Sequence, residues 1–175
     1  MDVRWDDELS LEDMINEGVR QGYTHPENVL RGSVLTDPDG LRVNTKDNTP
    51  AVIHTKIVSG DTVEIEVAAK GGGSEAKAKF AMLNPSDSVV DWILSVIPSM
   101  GAGWCPPGIL GVGIGGTPEK AMLLAKESLM EPLNMHELKA NGPKDHLQGL
   151  RLELFEKVNA LGIGAQGLGG LTTVL

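Results

Sequence analysis

Three glycine-rich stretches are the part of this sequence best suited to hold a small anion. They lie at 71–73, 101–103 and 115–116. Glycine has no Cβ, so its backbone N–H groups can come close to a ligand and the residue can adopt a positive φ. The third stretch precedes Thr117, where a helix is predicted to start, and a helix N-terminus favours an anion. Tight turns and close packing explain the same glycines at least as well, because neither phosphate-binding glycine pattern is complete.

Cys105 is the only cysteine among the 175 residues. This count excludes a disulfide within the chain and a metal site built from several cysteines of this chain alone. A thiolate here could be a nucleophile or one ligand of a shared metal site. The prolines at 106 and 107 would hold it in a fixed direction on rigid, non-helical backbone. A lone cysteine is also commonly a small buried hydrophobic residue, and composition leaves these interpretations open.

Arg31 is the candidate for binding a carboxylate. It lies in a predicted loop, and a guanidinium group can bind a carboxylate through two parallel hydrogen bonds. The alternative interpretation is an ordinary solvated arginine. The four histidines show no metal-ligand spacing, and His54 lies in a predicted strand, which favours a structural role over a catalytic one.

Charge and composition exclude several classes of protein. Fifteen basic and 24 acidic residues give a formal net charge of −9, which is unsuited to nucleic acids and to anionic membrane surfaces. Hydrophobic residues make up 41% of the chain but aromatic residues only 3%, so we expect an aliphatic core. No apolar run is long enough to cross a bilayer, and the N-terminal residues do not resemble a signal peptide. We therefore expect a soluble, cytoplasmic protein.

The elements that must position the candidate residues are predicted to be a mixture of helices and strands. Ser10 begins a helix that ends near Gly22. Residues 51–58 and 62–69 are predicted to form a β-hairpin, because the second segment alternates apolar and charged residues, and 108–114 to form a short buried strand. Further helices are predicted after 84–87 up to Pro98, from Pro118 to about 130, and from 147 to 161. The predicted fold class is α/β (mixed α+β), with a β-hairpin and short buried strands packed with helices.

Four motifs, in order along the chain, resemble those of one enzyme family. They are Ala-Lys-Gly-Gly-Gly-Ser at 69–74, Met-Gly-Ala-Gly-Trp-Cys-Pro-Pro-Gly at 100–108, Gly-Gly-Thr-Pro-Glu-Lys at 115–120, and Leu-Gly-Ile-Gly-Ala-Gln-Gly-Leu-Gly-Gly at 161–170. This series resembles the class I fumarate hydratases, the iron–sulfur hydro-lyases that also include L-tartrate dehydratase. The similarity extends over essentially the whole chain, so it is far more specific than any single motif.

The resemblance implies a role for three residues. In the family, three cysteines hold one [4Fe–4S] cluster and the fourth iron is open to substrate. Cys105 resembles the middle cysteine of the three and is the metal ligand that this chain would contribute. Gly73 resembles the backbone position that meets a substrate carboxylate, and Arg31 lies where the family has a substrate-binding arginine.

Several parts of the family pattern do not occur in these 175 residues. The family's first cysteine belongs to a Cys-Gln-Asp-Thr-Gly block whose aspartate is implicated in proton transfer. Its third cysteine, a nearby histidine and a C-terminal domain with further substrate-binding groups follow later. The resemblance therefore implies one domain, 1–175, that is an incomplete N-terminal (alpha) domain lacking both flanking segments and containing no catalytic residue.

The implied reaction is the reversible hydration of fumarate to malate, or the matching dehydration of tartrate. The implied partners are this small dicarboxylate, the missing N- and C-terminal segments or a beta subunit, and further copies of the complete protein in a homo-oligomer, with no nucleic acid and no membrane. The [4Fe–4S] cluster is expected in the complete protein, and the isolated chain is expected to be inactive and unable to retain it. The alternatives are a non-catalytic anion-binding or oligomer-interface module, and a truncated product without activity.

Overall fold

Helices dominate the secondary structure of residues 8–175, which are the residues that the computed structural model describes. The α-helices are α1 (Leu11–Thr24), α2 (Gly72–Glu75), α3 (Val89–Val96), α4 (Pro118–Ser128), α5 (Met135–Asn141) and α6 (His146–Ala160). Two 3₁₀ segments cover Pro98–Trp104 and Ala165–Gly167, and two short strands are β1 (Leu35–Thr36) and β2 (Val43–Asn44). Helices together with a small antiparallel sheet make the fold mixed α/β, as the sequence predicts.

The chain divides into two compact units, one that ends at Ile65 and one that runs from Glu66 to Leu175. The first contains α1 and the β1–β2 sheet, and the second contains all the later helices. A single domain over 1–175 stays a prediction, because two compact units can be parts of one domain.

The predicted starts of α1 and α4 are confirmed, and α3 begins at Val89, just after the predicted 84–87. Capping residues explain these positions. Ser10 Oγ accepts a hydrogen bond from Asp13 N at 3.1 Å at the start of α1, and Ser88 Oγ does the same for Asp91 N at the start of α3. Such a cap satisfies a backbone N–H that has no partner within the helix. Thr117 occupies the N-cap position of α4, but its side chain accepts no bond from the backbone N–H groups of the helix. The proline after it is therefore what favours the helix start there.

The predicted hairpin of 51–58 and 62–69 is wrong: neither segment forms a regular strand. Their apolar side chains are exposed; Val52 is 85% and Val67 76% exposed. Alternation of apolar and polar residues is a local property, whereas a β-ladder needs a partner and a covered apolar face. The hairpin that does form pairs Leu35 with Asn44 and Thr36 with Val43.

The predicted buried strand at 108–114 is wrong in the same way. The segment is extended but largely half-buried rather than buried, and it makes a single parallel bridge, between Gly108 and Val174. It packs on α4 at Gly111 and Gly113, where an added Cβ would collide with the carbonyl oxygens of Ala125 and Ala121. The segment is therefore held by close contact of its backbone with a helix rather than by a ladder.

The hydrophobic core of the second unit is mainly aliphatic, as its composition predicts. Its buried members are Ile93, Ile97, Met100, Trp104, Val158 and Val174. They come from α3, the first 3₁₀ segment, α6 and the C-terminal segment. One aromatic residue, Trp104, anchors the 3₁₀ segment in this core with 6% of its surface exposed, and the residue that follows it is Cys105.

A turn in the first unit is organised around Asp47. Its carboxylate accepts hydrogen bonds from Thr49 N at 3.0 Å and Thr49 Oγ1 at 2.9 Å, and from Arg20 Nε on α1 at 3.1 Å. The two bonds from Thr49, followed by the bond from Arg20, lower the pKa of Asp47 to about 2. The charged carboxylate thus stabilises this turn.

Within residues 8–175, no helix combines the length and the apolar character that crossing a membrane would require.

The acid stability of the first unit is predicted to depend on Asp47. Its pKa lies at about 2 in the folded chain and at 3.8 ordinarily. Its stabilising contribution is therefore present above about pH 4 and is lost as the pH falls from 4 towards 2. In Asp47→Asn the urea midpoint of unfolding, measured by circular dichroism, should decrease less over this pH range than in the unchanged chain. Asp39→Asn, at an exposed aspartate nearby, is the control; an equally reduced decrease in both variants would contradict the assignment.

Exposed apolar side chains are predicted to make this chain self-associate. Val63 is 56% and Val67 76% exposed, and exposed apolar surface favours association. Replacing Val63 and Val67 with lysine should lower the mass measured by light scattering at high concentration. The same change at Glu64 and Glu66, the polar positions of that alternating segment, is the control. A monodisperse monomer of the unchanged chain at high concentration would oppose this prediction.

Candidate functional site

The Gly71–Gly73 stretch packs directly against the backbone that leads to Cys105. A Cβ built on Gly73 would lie 2.9 Å from the carbonyl oxygen of Gly103, which is closer than real Cβ atoms come to an oxygen. Ser74 Oγ contacts the carbonyl oxygen of Trp104 at 3.4 Å. Glycine at position 73 is thus required by the packing, and it brings two of the three predicted site residues, Gly73 and Cys105, into one region.

Cys105 has an exposed side chain and an unusual backbone conformation. It ends the 3₁₀ segment with φ 59° and ψ 55°, in the left-handed region, and its N–H donates to Ala102 O at 2.9 Å. This conformation costs a non-glycine residue about 1–2 kcal/mol, and such strain is found most often at functional sites, where the surroundings impose it. Because the thiol is exposed, this residue does not serve as a small buried hydrophobic group in the structure.

The indole of Trp104, the residue that precedes Cys105, contains an unsatisfied donor. Its Nε1–H is buried and has no hydrogen-bond acceptor among residues 8–175. Buried donors without a partner are rare and call for an explanation, such as a group that binds there.

Arg31 lies in the first unit, and the backbone after it is held by two asparagines. Asn48 Oδ1 accepts from Ser33 N at 2.8 Å, and Asn44 Nδ2 donates to the carbonyl oxygen of Gly32 at 2.8 Å. The Arg31 side chain is exposed. Within the described part of the chain it has no ion pair, so its guanidinium group is available to a carboxylate. Gly73 and Cys105 belong to the second unit.

Glu75, the last residue of α2, links this short helix to α4. Its carboxylate contacts Lys126 Nζ at 2.5 Å and Lys70 Nζ at 3.3 Å. Partial burial would raise the pKa of Glu75, but the hydrogen bonds and charges of Lys126 and then Lys70 outweigh it and lower the pKa. The ionised carboxylate of Glu75 therefore connects the glycine stretch at 71–73 to α4, which is the helix that follows the glycine stretch at 115–116.

The fourth motif, at 161–170, forms one wall of an open cleft, and residues of the first 3₁₀ segment form the other. The cleft has a volume of about 500 Å³, with Gly101 and Ala102 on one side and Gly162 and Gly167 on the other. The N–H groups of 167–170 donate to carbonyl oxygens within the same loop. This loop is therefore a rigid wall rather than a set of free donors for an anion.

This loop and the C-terminal residues after it hold the backbone that follows Cys105, a contact that the sequence patterns do not indicate. Gln166 N donates to Pro106 O at 2.7 Å, and Gly108 N donates to Thr173 O at 3.2 Å. The available signal was the repeated glycine spacing of this motif, but that pattern does not say which segment the loop contacts.

The metal-binding capacity of these residues is limited to one thiolate. Among residues 8–175, no three or more His, Cys, Asp or Glu side chains are grouped as metal ligands. In the second unit the described site therefore consists of one exposed thiol and a close-packed glycine backbone.

Comparison with known proteins gives a consistent family. A sequence profile described as "Fumarate hydratase (Fumerase)" matches residues 1–175. A protein of Methanocaldococcus jannaschii, provisionally named L(+)-tartrate dehydratase subunit alpha, is 35% identical over 174 residues, which are 95% of this chain and 58% of that protein. The L(+)-tartrate dehydratase subunit alpha of Escherichia coli K12 is 33% identical over 135 residues, which are 75% of this chain and 43% of that protein.

These relatives are longer than the sequence studied. The chain spans about half the length of the curated relatives that it matches. The profile matches the chain from end to end, and the four glycine-rich motifs all lie within that match. The chain therefore belongs to the fumarate hydratase family of hydro-lyases.

Proposed function

We propose that this chain forms part of an iron–sulfur hydro-lyase that hydrates fumarate to malate or dehydrates tartrate. The family match supports the reaction class, and the two relatives named above carry the name of tartrate dehydratase alpha subunits. The observation that carries the proposal is the contact of Gly73 with the Gly103 carbonyl, two residues before the exposed Cys105. A carboxylate-binding backbone and a thiolate ligand would then lie side by side.

The chain's own part in catalysis would be to bind and orient the dicarboxylate. Gly73 lies in the first turn of α2, where backbone N–H groups lack acceptors within the helix and can donate to a carboxylate. Arg31 would bind a carboxylate through its guanidinium fork. With a net charge of −9, the chain repels a dianion overall, so local donors and a free cation are what make binding favourable. Holding a substrate carboxylate in one orientation fixes the C–O bond and the proton that are lost on dehydration.

Cys105 would supply one thiolate to a [4Fe–4S] cluster. The residues of this chain fit one ligand position and not a whole cluster, which takes three or four protein ligands. The remaining thiolates would come from protein outside these 175 residues. In the family, the bound cluster supplies an iron that acts as a Lewis acid.

The names of the relatives also suggest a partner. Both are called alpha subunits, so we propose a second, beta subunit as the partner that completes the site, or the corresponding segments of a longer chain. We also propose that the complete protein is a cytoplasmic homo-oligomer.

A chimeric enzyme tests this proposal directly. The 135 matched residues of the Escherichia coli alpha subunit are replaced by the corresponding residues of this chain, and the other parts of that enzyme are co-expressed. We expect fumarate hydration or L(+)-tartrate dehydration, with iron and sulfide bound, and the ratio of the two activities identifies the substrate. A folded chimera that binds iron and sulfide but catalyses neither reaction would oppose the proposal and favour an anion-binding or interface module.

Cys105→Ser and Cys105→Ala in this chimera are predicted to lose the cluster and the activity to the same extent. Thiolate is a soft ligand suited to iron–sulfur sites, whereas a serine hydroxyl is hard and protonated at neutral pH. Iron and sulfide content and the visible spectrum are measured beside the rate. Full activity of Cys105→Ala with an unchanged spectrum would end the assignment of this residue.

The isolated chain is predicted not to retain a stable [4Fe–4S] cluster, because it offers one thiolate. The test is anaerobic reconstitution followed by iron and sulfide counting, with the mass of the species determined by light scattering. A stoichiometric cluster on a monomeric chain would contradict this prediction.

A further inference from the structure

We infer that Asn159 is a positioning residue for Cys105. Asn159 lies in the last turn of α6. Its Oδ1 accepts hydrogen bonds from Thr173 N at 2.6 Å and Val174 N at 3.0 Å, and its Nδ2 donates to Val174 O at 3.2 Å. The side-chain amide thus pairs with the segment 173–174 as a neighbouring strand would. Asparagine is a poor helix former, so helix propensity does not explain it at this position.

The segment that Asn159 holds is buried and needs these bonds. Thr173 is fully buried and Val174 is 5% exposed. Buried backbone N–H groups must be paired, or their desolvation destabilises the fold. Asn159 Oδ1 accepts from both of them, and Thr173 Oγ1 in turn accepts from Gly164 N at 3.2 Å. The amide of Asn159 therefore determines where residues 173–174 lie.

Residues 173–175 in turn hold the chain that leaves Cys105. Gly108 N donates to Thr173 O at 3.2 Å, and Leu175 N donates to Gly108 O at 3.0 Å. Between Gly108 and Cys105 stand only two prolines, whose fixed φ angles transmit a displacement rather than absorb it. On its other side Cys105 follows the buried Trp104. The left-handed conformation of Cys105 is thus imposed by the residues before it and by the residues after it. Asn159 holds the residues after it in place.

A role of Asn159 in catalysis rests on the proposed function. The restraint that Asn159 places on Cys105 can be measured without a cluster or a substrate. Since Cys105 is the only cysteine, a nitroxide spin label attaches there alone. Its electron paramagnetic resonance line shape reports local mobility in the 175-residue chain. Asn159→Ala removes all three hydrogen bonds, and Asn159→Asp keeps the two acceptor bonds and loses the donor. Asn141→Ala, at an exposed asparagine that ends α5, is the control.

We expect a mobile component at Cys105 in Asn159→Ala, a smaller one in Asn159→Asp, and none beyond the unchanged chain in Asn141→Ala. Each lost hydrogen bond should raise roughly fivefold the fraction of molecules that give the mobile component. Spectra are recorded below the unfolding midpoint of each variant, determined by circular dichroism. A second label position, Glu137→Cys in a Cys105→Ala background, should not respond to Asn159→Ala.

Two results would overturn the inference. One is an unchanged Cys105 line shape in Asn159→Ala. The other is an equal change at both label positions, which would show that Asn159 only stabilises the unit as a whole. If Asn159→Ala does not fold, the same comparison is decided by Asn159→Asp. An inactive chimera with an Asn159-dependent line shape would reject the proposed function and leave this positioning role intact.

Discussion

Close approach of one backbone to another, at positions where no Cβ fits, is the contact on which the second unit depends. Gly73 lies on the Gly103 carbonyl, and Gly111 and Gly113 lie on α4. In the 161–170 loop, a Cβ on Gly164 would collide with Gly169. Because these contacts involve main chain on both sides, few side-chain adjustments could relieve an added methyl group. The glycine-rich motifs are thus packing surfaces first, and the site lies where two of them meet.

The core explains why this packing leaves Cys105 accessible. Trp104 is buried among aliphatic residues of α3 and α6, so it fixes the end of the 3₁₀ segment. The next residue then leaves the core in a left-handed conformation, with its thiol exposed. On the far side, the backbone pairs with residues 173–175, which the amide of Asn159 holds. A reactive side chain is therefore presented by rigid neighbours, as precise ligand placement requires.

Electrostatics complements this arrangement in the first unit. Hydrogen bonds keep Asp47 ionised in the turn that follows β2, and the neighbouring Asn48 holds the backbone after Arg31. The arginine itself is left without an ion pair in the described part of a strongly acidic chain. Asp47 and Glu75 are engaged in structural bonds, while this cation remains available for binding.

By itself the sequence determined α1, α3, α4 and α6, the aliphatic core and the family, but not α2 and α5. Helix starts are local, because a serine at the cap and a proline in the first turn act within a few residues. α1 and α4 therefore begin where they were predicted, and α3 begins just after the predicted 84–87. The family is carried by motifs in which glycine, proline and cysteine occur in order, and these are read directly from the chain. The choice of Cys105, Gly73 and Arg31 as site residues came from the same motifs. Their roles are functional proposals rather than structural findings.

The tertiary structure alone decided what depends on residues distant in the chain. The alternating segment 62–69 has the composition of a strand but no ladder partner, and Leu35 and Asn44 pair instead because the 37–40 turn brings them together. Gly73 and Gly103, which are in contact, lie 30 positions apart in the sequence. Asn159 and Thr173 are separated by a loop whose glycines do not indicate which residues it contacts. Composition and periodicity describe how a segment prefers to behave, whereas its partner is chosen by burial and hydrogen bonding in the whole chain.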